Sequence, residues 1–301
     1  MSLIKGVIKA VRPKQWAKNL LVFVAPLAAG LLTTSTGLRN GIFAFCVFSM
    51  ASGGTYLIND VLDVESDRQH PTKRSRPIAS GVVPIPLAVG LGAVFIVTAV
   101  LLALWRTPKF GLVVAIYVIL TTLYSVWMKH EPVLDLVGLS AGFILRLLGG
   151  AYAAEVGISD WFLIISLLGA LFIAAGKRSA ERNELGDQSS TIRPTLGIYT
   201  DSYLDFVKAI AGGGVVIAYC LFAVERAREH SEMGDSGAGV WVLLSILPFV
   251  VAILRYALLV DQGAGSAPEE VLLHDRQMAV IGLVWVACFG MSVLLGEPTV
   301  V

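Results

Sequence analysis

The chain has 301 residues, of which 56% are hydrophobic and 15% charged, and its formal net charge is +1. This composition excludes an ordinary soluble domain, and we expect no nucleic-acid partner. Because a membrane-spanning helix needs roughly 20 mainly apolar residues, the sequence predicts an all-α, polytopic membrane bundle that forms one domain over residues 1–301. Nine spans are predicted, at about residues 17–33, 40–59, 84–105, 110–127, 132–153, 159–176, 203–224, 238–258 and 277–296.

The N-terminal segment is basic and enters the first predicted span through Arg12-Pro13-Lys14-Gln15-Trp16-Ala17-Lys18-Asn19. Its cations and Trp16 are typical of an anchor at the lipid interface, and a catalytic role is the alternative. Both could hold, because a lipid phosphate would lie at the same depth, within reach of Lys18. We expect the first span to be retained rather than cleaved as a signal peptide. Most of the 23 Lys and Arg residues fall on the side of the bundle that carries the N-terminus. That side is therefore predicted to face the cytoplasm, and the membrane is predicted to be the plasma membrane.

The second predicted span ends in an acidic segment. Asp60, Asp63 and Asp67 stand at i, i+3 and i+7, so a helix would place their carboxylates on one face. Such oxygen ligands suit Mg²⁺, which also binds substrate phosphates, and Asn59 can add a neutral ligand. Solvated surface acids are the alternative, but three acids at the end of an apolar helix are costly. We predict a catalytic Mg²⁺ site at Asn59, Asp60, Asp63 and Asp67.

The acids run directly into a basic loop, residues 68–77. Pro71 and Pro77 limit helix continuation there, so the loop is predicted to be constrained. A cytoplasmic loop of a membrane protein is often basic without any substrate. The acids and cations together favour a clamp on a metal–diphosphate complex, with phosphate ligands at Lys73, Arg74 and Arg76.

Later spans carry further polar candidates. Tyr124 and Lys129 follow the fourth span and could contact phosphate, while Arg146 lies inside the fifth span. An arginine deep in a bilayer should face the bundle interior with a partner, unless it snorkels to an interface. The sixth span ends in a cluster that is either a set of exposed helix ion pairs or a second substrate-binding site. This cluster contains Lys177, Arg178 and Glu181.

The motif Asn59-Asp60-x-x-Asp63-x-x-x-Asp67-Arg68, followed by Arg76-Pro77-Ile78-Ala79-Ser80-Gly81, resembles the signature of the UbiA superfamily of intramembrane prenyltransferases. The resemblance covers essentially the whole chain. It implies nine transmembrane helices around a central cavity, with a polar cap on the cytoplasmic side. Typical members carry a second aspartate motif, DxxxD, near the end of the sixth helix, where this chain has Lys177-Arg178-Ser179-Ala180-Glu181.

That departure resembles one branch of the superfamily, the decaprenyl-phosphate phosphoribosyltransferases of mycobacteria and their relatives. Similar segments are Arg12-Pro13-Lys14-Gln15-Trp16, His70-Pro71-Thr72-Lys73-Arg74, Ala175-Gly176-Lys177-Arg178, Pro248-Phe249 and Ala252-Ile253-Leu254-Arg255-Tyr256-Ala257. The branch implies Mg²⁺-dependent transfer of 5-phosphoribose from phosphoribosyl pyrophosphate (PRPP) to decaprenyl phosphate, toward the arabinose donor of the cell wall. An aromatic prenyltransferase with a prenyl diphosphate donor is one alternative, and a membrane transporter is a weaker one. The sequence leaves a homo-oligomer open.

Overall fold

The structure is a computed structural model that describes residues 2–185, 194–264, 271 and 275–296. Every regular element in this part of the chain is a helix, as the sequence predicts. In chain order the elements are α1 (Leu3–Ala10), a 3-10 segment (Pro13–Phe23), α2 (Val24–Ala28), a 3-10 turn (Leu31–Thr33), α3 (Ser35–Leu62), α4 (Val64–Gln69), a 3-10 turn (Lys73–Ser75), α5 (Ile85–Arg106), α6 (Pro108–Val126), a 3-10 turn (Met128–His130), α7 (Leu134–Ala154), α8 (Asp160–Leu185), α9 (Pro194–Ile198), α10 (Asp201–Glu232), α11 (Ser236–Leu244), α12 (Ile246–Asp261) and α13 (Arg276–Leu295).

Eight helical stretches among the described residues are long and apolar enough to cross a membrane. They match the second to ninth predicted spans, with α11 and α12 together forming the eighth. Their hydrophobic side chains are widely exposed on the protein surface, as contact with lipid requires. The chain is therefore a multi-pass membrane protein.

The first predicted span, at 17–33, is not a continuous α-helix. The 3-10 segment Pro13–Phe23 is followed by the five-residue α2 and by the 3-10 turn Leu31–Thr33. Gly30 has a φ of 71°, a conformation that ends a helix. The hydropathy of this stretch reports its contact with apolar surroundings but not its local geometry. The prediction of nine transmembrane helices is therefore not confirmed.

The described structure forms two compact units, and unit 1 comprises Met1–Pro26, Leu32–Trp127 and Leu145–Glu155. Within it, α3 packs against α5, α6 and the 3-10 segment. Its buried core consists mainly of alanine and valine side chains around a few aromatic residues. The rings of Phe48 and Tyr117 make an edge-to-face contact there at a centroid distance of 5.3 Å. Unit 1 contains the whole acidic segment and the basic loop that follows it.

Unit 2 comprises Leu27–Leu31, Met128–Ile144 and Val156–Val301. Here α8 packs along α10, and α10 to α13 pack against one another. Phe172 and Tyr256 meet in its core at a centroid distance of 5.5 Å. Unit 2 contains the Lys177–Glu181 segment, and the prediction of a single domain over residues 1–301 stays a prediction.

Two close approaches in unit 1 require glycine. A Cβ atom on Gly150 of α7 would lie 1.9 Å from the carbonyl oxygen of Val22 in the 3-10 segment. A Cβ atom on Gly54 of α3 would lie 2.9 Å from the carbonyl oxygen of Gly92 in α5. Backbone atoms cannot swing aside as a flexible side chain can, so these glycines fix how closely the elements pack.

We expect Gly150→Ala to lower the free energy of unfolding by about 1–3 kcal/mol, because the added methyl group overpacks the contact with the Val22 carbonyl. The measurement is the thermal unfolding of the detergent-purified protein. Gly90→Ala in α5 is the matched control, since a Cβ atom there meets nothing within 4 Å. Equal melting temperatures for the two variants would contradict the close approach.

Candidate active site

The acidic segment is folded by the end of α3 and by the short helix α4. Asp60 lies in the last turn of α3, Asp67 lies in α4, and Asp63 between them interrupts the helix with φ −89° and ψ 3°. Asp60 and Asp67 are only 3% and 2% exposed. The continuous helical face predicted for all three acids is therefore broken at Asp63, and a turn brings the outer two carboxylates to a common partner.

That partner is Arg76, which lies near the end of the basic loop. Its Nη1 donates to Asp60 Oδ1 at 3.3 Å and to Asp67 Oδ2 at 2.7 Å. Arg12 also donates to Asp60 Oδ1, and its guanidinium lies 4.9 Å from the ring centroid of Tyr56. Two buried carboxylates and two guanidiniums thus form a set with no net charge. We call Arg12, Asp60, Asp67 and Arg76 the carboxylate–arginine cluster.

The backbone of Arg12 is strained in this position. Its φ of 53° and ψ of 63° are left-handed, although a residue before a proline such as Pro13 normally stays extended. A non-glycine residue in this region is strained by about 1–3 kcal/mol. Sequence reasoning placed Arg12 at the lipid interface and missed its role here, because its partner lies 48 residues away.

Asn59 supplies a third oxygen. Its Nδ2 donates to Ser125 Oγ at 2.7 Å, while its Oδ1 is buried without a hydrogen-bond partner in the described part of the chain. Asn59 Oδ1 and the carboxylate oxygens of Asp60 and Asp67 are all oxygen donors, the ligand type that Mg²⁺ prefers. The donor chemistry therefore fits the metal.

The three acids are not assembled as a ligand trio. Within residues 2–185, 194–264, 271 and 275–296, no three Asp, Glu, His or Cys side chains are grouped to hold a metal ion. Asp63 is half-buried at the break between α3 and α4. Metal ligation by Asp63 stays a prediction, and the fit rests on Asn59, Asp60 and Asp67.

The other loop cations differ in their surroundings. His70 Nδ1 accepts from the backbone N–H of Lys73 at 3.4 Å, which folds the loop back on itself. The Lys73 side chain is half-buried and that of Arg74 is exposed. Arg68 pairs with Glu65 at 2.9 Å. Arg76 is the loop cation that binds the buried carboxylates of Asp60 and Asp67.

Arg146 lies in the interior of unit 1, as predicted, and is 6% exposed. Its Nε donates to Asn19 Oδ1 and its Nη2 to Tyr117 Oη, both at 2.8 Å, with the guanidinium 4.8 Å from the Tyr117 ring centroid. Asn19 in turn donates to Ser49 Oγ and Ser52 Oγ at 3.1 and 3.3 Å. The snorkelling alternative is wrong, and Arg146 anchors the 3-10 segment.

Three further predicted residues are distributed over the 3-10 segment, α6 and unit 2. Lys18 Nζ donates to Gln15 Oε1 at 2.6 Å within the 3-10 segment, and Tyr124 is half-buried near the end of α6. Lys129 belongs to unit 2, where its carbonyl oxygen accepts from Thr195 Oγ1 at 3.2 Å. Contact of Lys18, Tyr124 or Lys129 with a phosphate stays a prediction.

Unit 2 has its own polar cluster, centred on Arg178. Arg178 is 1% exposed and binds Asp135 with two parallel hydrogen bonds, Nε to Oδ2 at 2.5 Å and Nη2 to Oδ1 at 2.7 Å. Glu181 accepts from Arg178 and lies 3.7 Å from Lys177 Nζ. Asp135 is fully buried, and sequence reasoning missed it because a lone acid at the start of a span does not indicate its partner. The exposed ion-pair alternative therefore does not hold for Arg178.

Tyr199 packs beside this cluster and stays neutral. Its hydroxyl oxygen accepts from the backbone N–H of Val133 at 3.0 Å. Burial raises the pKa of Tyr199 to about 12, and the neighbouring carboxylate of Asp135 acts in the same direction. At neutral pH the hydroxyl therefore remains protonated and contributes no charge.

The chain is similar to known proteins in both sequence and fold. The sequence model of the UbiA prenyltransferase family matches residues 21–281. The chain is 41% identical over 297 residues to the decaprenyl-phosphate phosphoribosyltransferase of Mycolicibacterium smegmatis, covering 97% of this chain and 93% of that one. It is 42% identical to the protein of the same name from Corynebacterium glutamicum, covering 98% and 88%. The fold is similar to that of a UbiA homologue from Archaeoglobus fulgidus bound to GPP and Mg²⁺, with a TM-score of 0.70 at 15% identity over 96% of this chain and 99% of that one.

We expect Asp135→Asn to destabilise the protein by about 3–5 kcal/mol, because it leaves the Arg178 guanidinium buried with one counter-charge removed. Asp205→Asn is the matched control, since the Asp205 side chain pairs with Lys208 at 65% exposure and such pairs contribute little. Thermal unfolding and the monodisperse yield in detergent report the difference. A loss for Asp135→Asn no larger than the control's would show that the buried pair is dispensable.

Proposed function

The chain belongs to the UbiA prenyltransferase family, and we propose that it is a phosphoribosyltransferase that moves 5-phosphoribose from PRPP to a polyprenyl phosphate such as decaprenyl phosphate. The observation that carries the proposal is the identity of 41–42% across 97–98% of the chain to two relatives named decaprenyl-phosphate phosphoribosyltransferase. The oxygen donors of Asn59, Asp60 and Asp67 beside two arginines support it, because they suit a metal–diphosphate substrate.

In this reaction the bond between C1 of the ribose and the pyrophosphate oxygen breaks, and the pyrophosphate leaves with the electron pair. An oxygen of the lipid phosphate forms the new bond to C1. That oxygen is already ionised near neutral pH, so no side chain has to remove a proton. A site without a dedicated general base is therefore sufficient.

We propose that Asn59, Asp60 and Asp67 hold Mg²⁺, with Asp63 as a further ligand. When bound, Mg²⁺ supplies neutralisation of the charge that develops on the departing pyrophosphate. The side chains themselves fix the position of the donor relative to α3 and α4. Because Asp60 and Asp67 are buried, they lose little conformational freedom when they bind.

The cations must overcome repulsion between two anionic substrates. We propose that Lys73, Arg74 and Arg76 bind phosphates of the donor, since a guanidinium grips phosphate with two hydrogen bonds. We propose that four further residues also help to bind phosphate, either directly or by supporting a residue that does: Lys18, Tyr124, Lys129 and Arg146. In unit 2, Lys177 is proposed as the phosphate ligand, while Arg178 and Glu181 position it through the buried pair with Asp135.

The setting of the reaction is also proposed. The distribution of Lys and Arg supports an N-terminus and an active site on the cytoplasmic side of the plasma membrane, where PRPP is available. The product would enter the arabinose-donor route to the cell wall that the resemblance implies. A homo-oligomer is compatible with this function but is not required by it.

The decisive experiment supplies the purified protein in lipid with radiolabelled PRPP, decaprenyl phosphate and Mg²⁺. We expect a labelled lipid and released pyrophosphate, and both should disappear with EDTA and return with added Mg²⁺. If no labelled lipid forms but a prenyl diphosphate reacts with an aromatic acceptor, the protein is an aromatic prenyltransferase instead. If neither product forms and the protein transports a solute, the transporter alternative is favoured.

We expect Asp60→Asn and Asp67→Asn each to lower kcat by about 100-fold or more, because the metal and the leaving group lose their support. Glu65→Gln on the same helix α4 is the control, since the Glu65 side chain is 77% exposed and pairs only with Arg68 among the described contacts. Size-exclusion profiles establish that all three variants fold. Full activity of both aspartate variants would exclude their proposed role.

We expect Lys177→Met to raise KM for one of the two substrates by about tenfold, since a charged hydrogen bond to phosphate is lost. Lys5→Met, at an exposed position of α1, should leave both KM values unchanged. Steady-state kinetics with each substrate varied in turn separate the donor from the acceptor. Unchanged KM values for both substrates would contradict phosphate binding by Lys177.

A further inference from the structure

The oxygen atoms that fit Mg²⁺ are already hydrogen-bonded in the carboxylate–arginine cluster. Asp60 Oδ1 accepts from both Arg12 and Arg76, and Asp67 Oδ2 accepts from Arg76 at 2.7 Å. A divalent cation bound to these carboxylates would need the same lone pairs. The guanidiniums and the metal therefore compete for one set of atoms.

Charge makes the competition stronger. The four side chains sum to zero, so a metal ion added alone would bring two uncompensated positive charges next to two guanidiniums. Asp60 and Asp67 have side chains only 4% and 3% exposed, and water screens such charges poorly. A diphosphate that arrives with the metal restores the balance and offers the guanidiniums new acceptors.

The two kinds of side chain also differ in freedom. The carboxylates are buried at the end of α3 and in α4, whereas the side chains of Arg12 and Arg76 are 31% and 28% exposed. Arg12 is additionally held in a left-handed backbone conformation while it binds Asp60. The arginines are thus the more exposed partners, and release would relieve the strain at Arg12.

We infer that Arg12 and Arg76 exchange partners when the donor binds: they neutralise Asp60 and Asp67 beforehand, and they bind the diphosphate once those carboxylates bind the metal. A guanidinium suits both states, because it matches carboxylate and phosphate geometry alike. This inference rests on the proposed function for the identity of the diphosphate. It assigns Arg12 to the site and makes metal and diphosphate binding mutually dependent.

The exchange predicts opposite effects of one substitution on two ligands. In full-length protein purified in detergent, Mn²⁺ binding without substrate is followed by electron paramagnetic resonance, and binding of radiolabelled pyrophosphate is measured at saturating Mn²⁺. Arg76→Gln should lower the Kd for Mn²⁺ about fivefold or more, because a competitor is removed. It should raise the Kd for pyrophosphate about tenfold or more, because a ligand of the diphosphate is lost.

Arg12→Gln should shift both constants in the same directions and provides a second test should Arg76→Gln fold poorly. Arg68→Gln is the matched control, since it removes one positive charge from the same segment but Arg68 pairs with Glu65. We expect it to change neither constant by more than about twofold. Unchanged Mn²⁺ affinity in both Arg12→Gln and Arg76→Gln, or an equal shift in Arg68→Gln, would overturn the exchange.

The outcome is separable from that of the transfer assay. Opposite shifts in Mn²⁺ and pyrophosphate affinity, together with no transfer from PRPP, would support the exchange and refute the phosphoribosyl assignment. Transfer from PRPP by the unmodified protein, together with unchanged affinities in the variants, would do the reverse. The two measurements are therefore independent of each other.

Discussion

The burial of two carboxylates beside an apolar core is the constraint on which unit 1 depends. Asp60 and Asp67 are nearly inaccessible, and a buried ionised group is tolerated only when an opposite charge and hydrogen bonds compensate it. Arg76, near the end of the basic loop, supplies an opposite charge and hydrogen bonds to these carboxylates. Arg12, in the N-terminal segment, does the same for Asp60. The carboxylates therefore determine where two otherwise irregular pieces of chain must lie. The proposed chemistry and the local fold depend on the same carboxylates, so a substitution of either one also changes the local structure.

The N-terminal segment shows how this constraint extends into packing. Trp16, Asn19 and Val22 recur every three residues, the period at which side chains of a 3-10 helix share one face. Asn19 and Val22 on this face are fully buried, Asn19 against Arg146 and Val22 against Gly150. An α-helix would rotate successive members of this series away from the core. The 3-10 geometry is thus the form in which the segment keeps these contacts while it delivers Arg12 to Asp60.

The features that could be predicted from the sequence are those that depend on composition and on short spacings between residues. Eight spans could be found because a long apolar run suffices to define each one, and the interior position of Arg146 followed from the cost of an arginine in lipid. The 3-10 segment could not be found, since hydropathy does not distinguish its period of three from the α-helical one. Nor could the Arg12–Asp60 and Arg178–Asp135 pairings, because they join residues 48 and 43 positions apart and no local pattern encodes them.

The Lys177–Glu181 segment shows why a motif departure needs its structural context. Read alone, two cations in place of family acids would simply add positive charge for phosphates. Arg178, however, is buried against Asp135 and Glu181, so its charge is compensated within unit 2. Lys177 is the partly exposed cation of the segment, as Arg12 and Arg76 are the partly exposed cations in unit 1. In each unit the buried charges thus stabilise the fold, while the partly exposed cations retain the freedom to turn toward an anionic ligand. The chain thereby concentrates charge in an apolar protein without leaving it uncompensated before a substrate arrives.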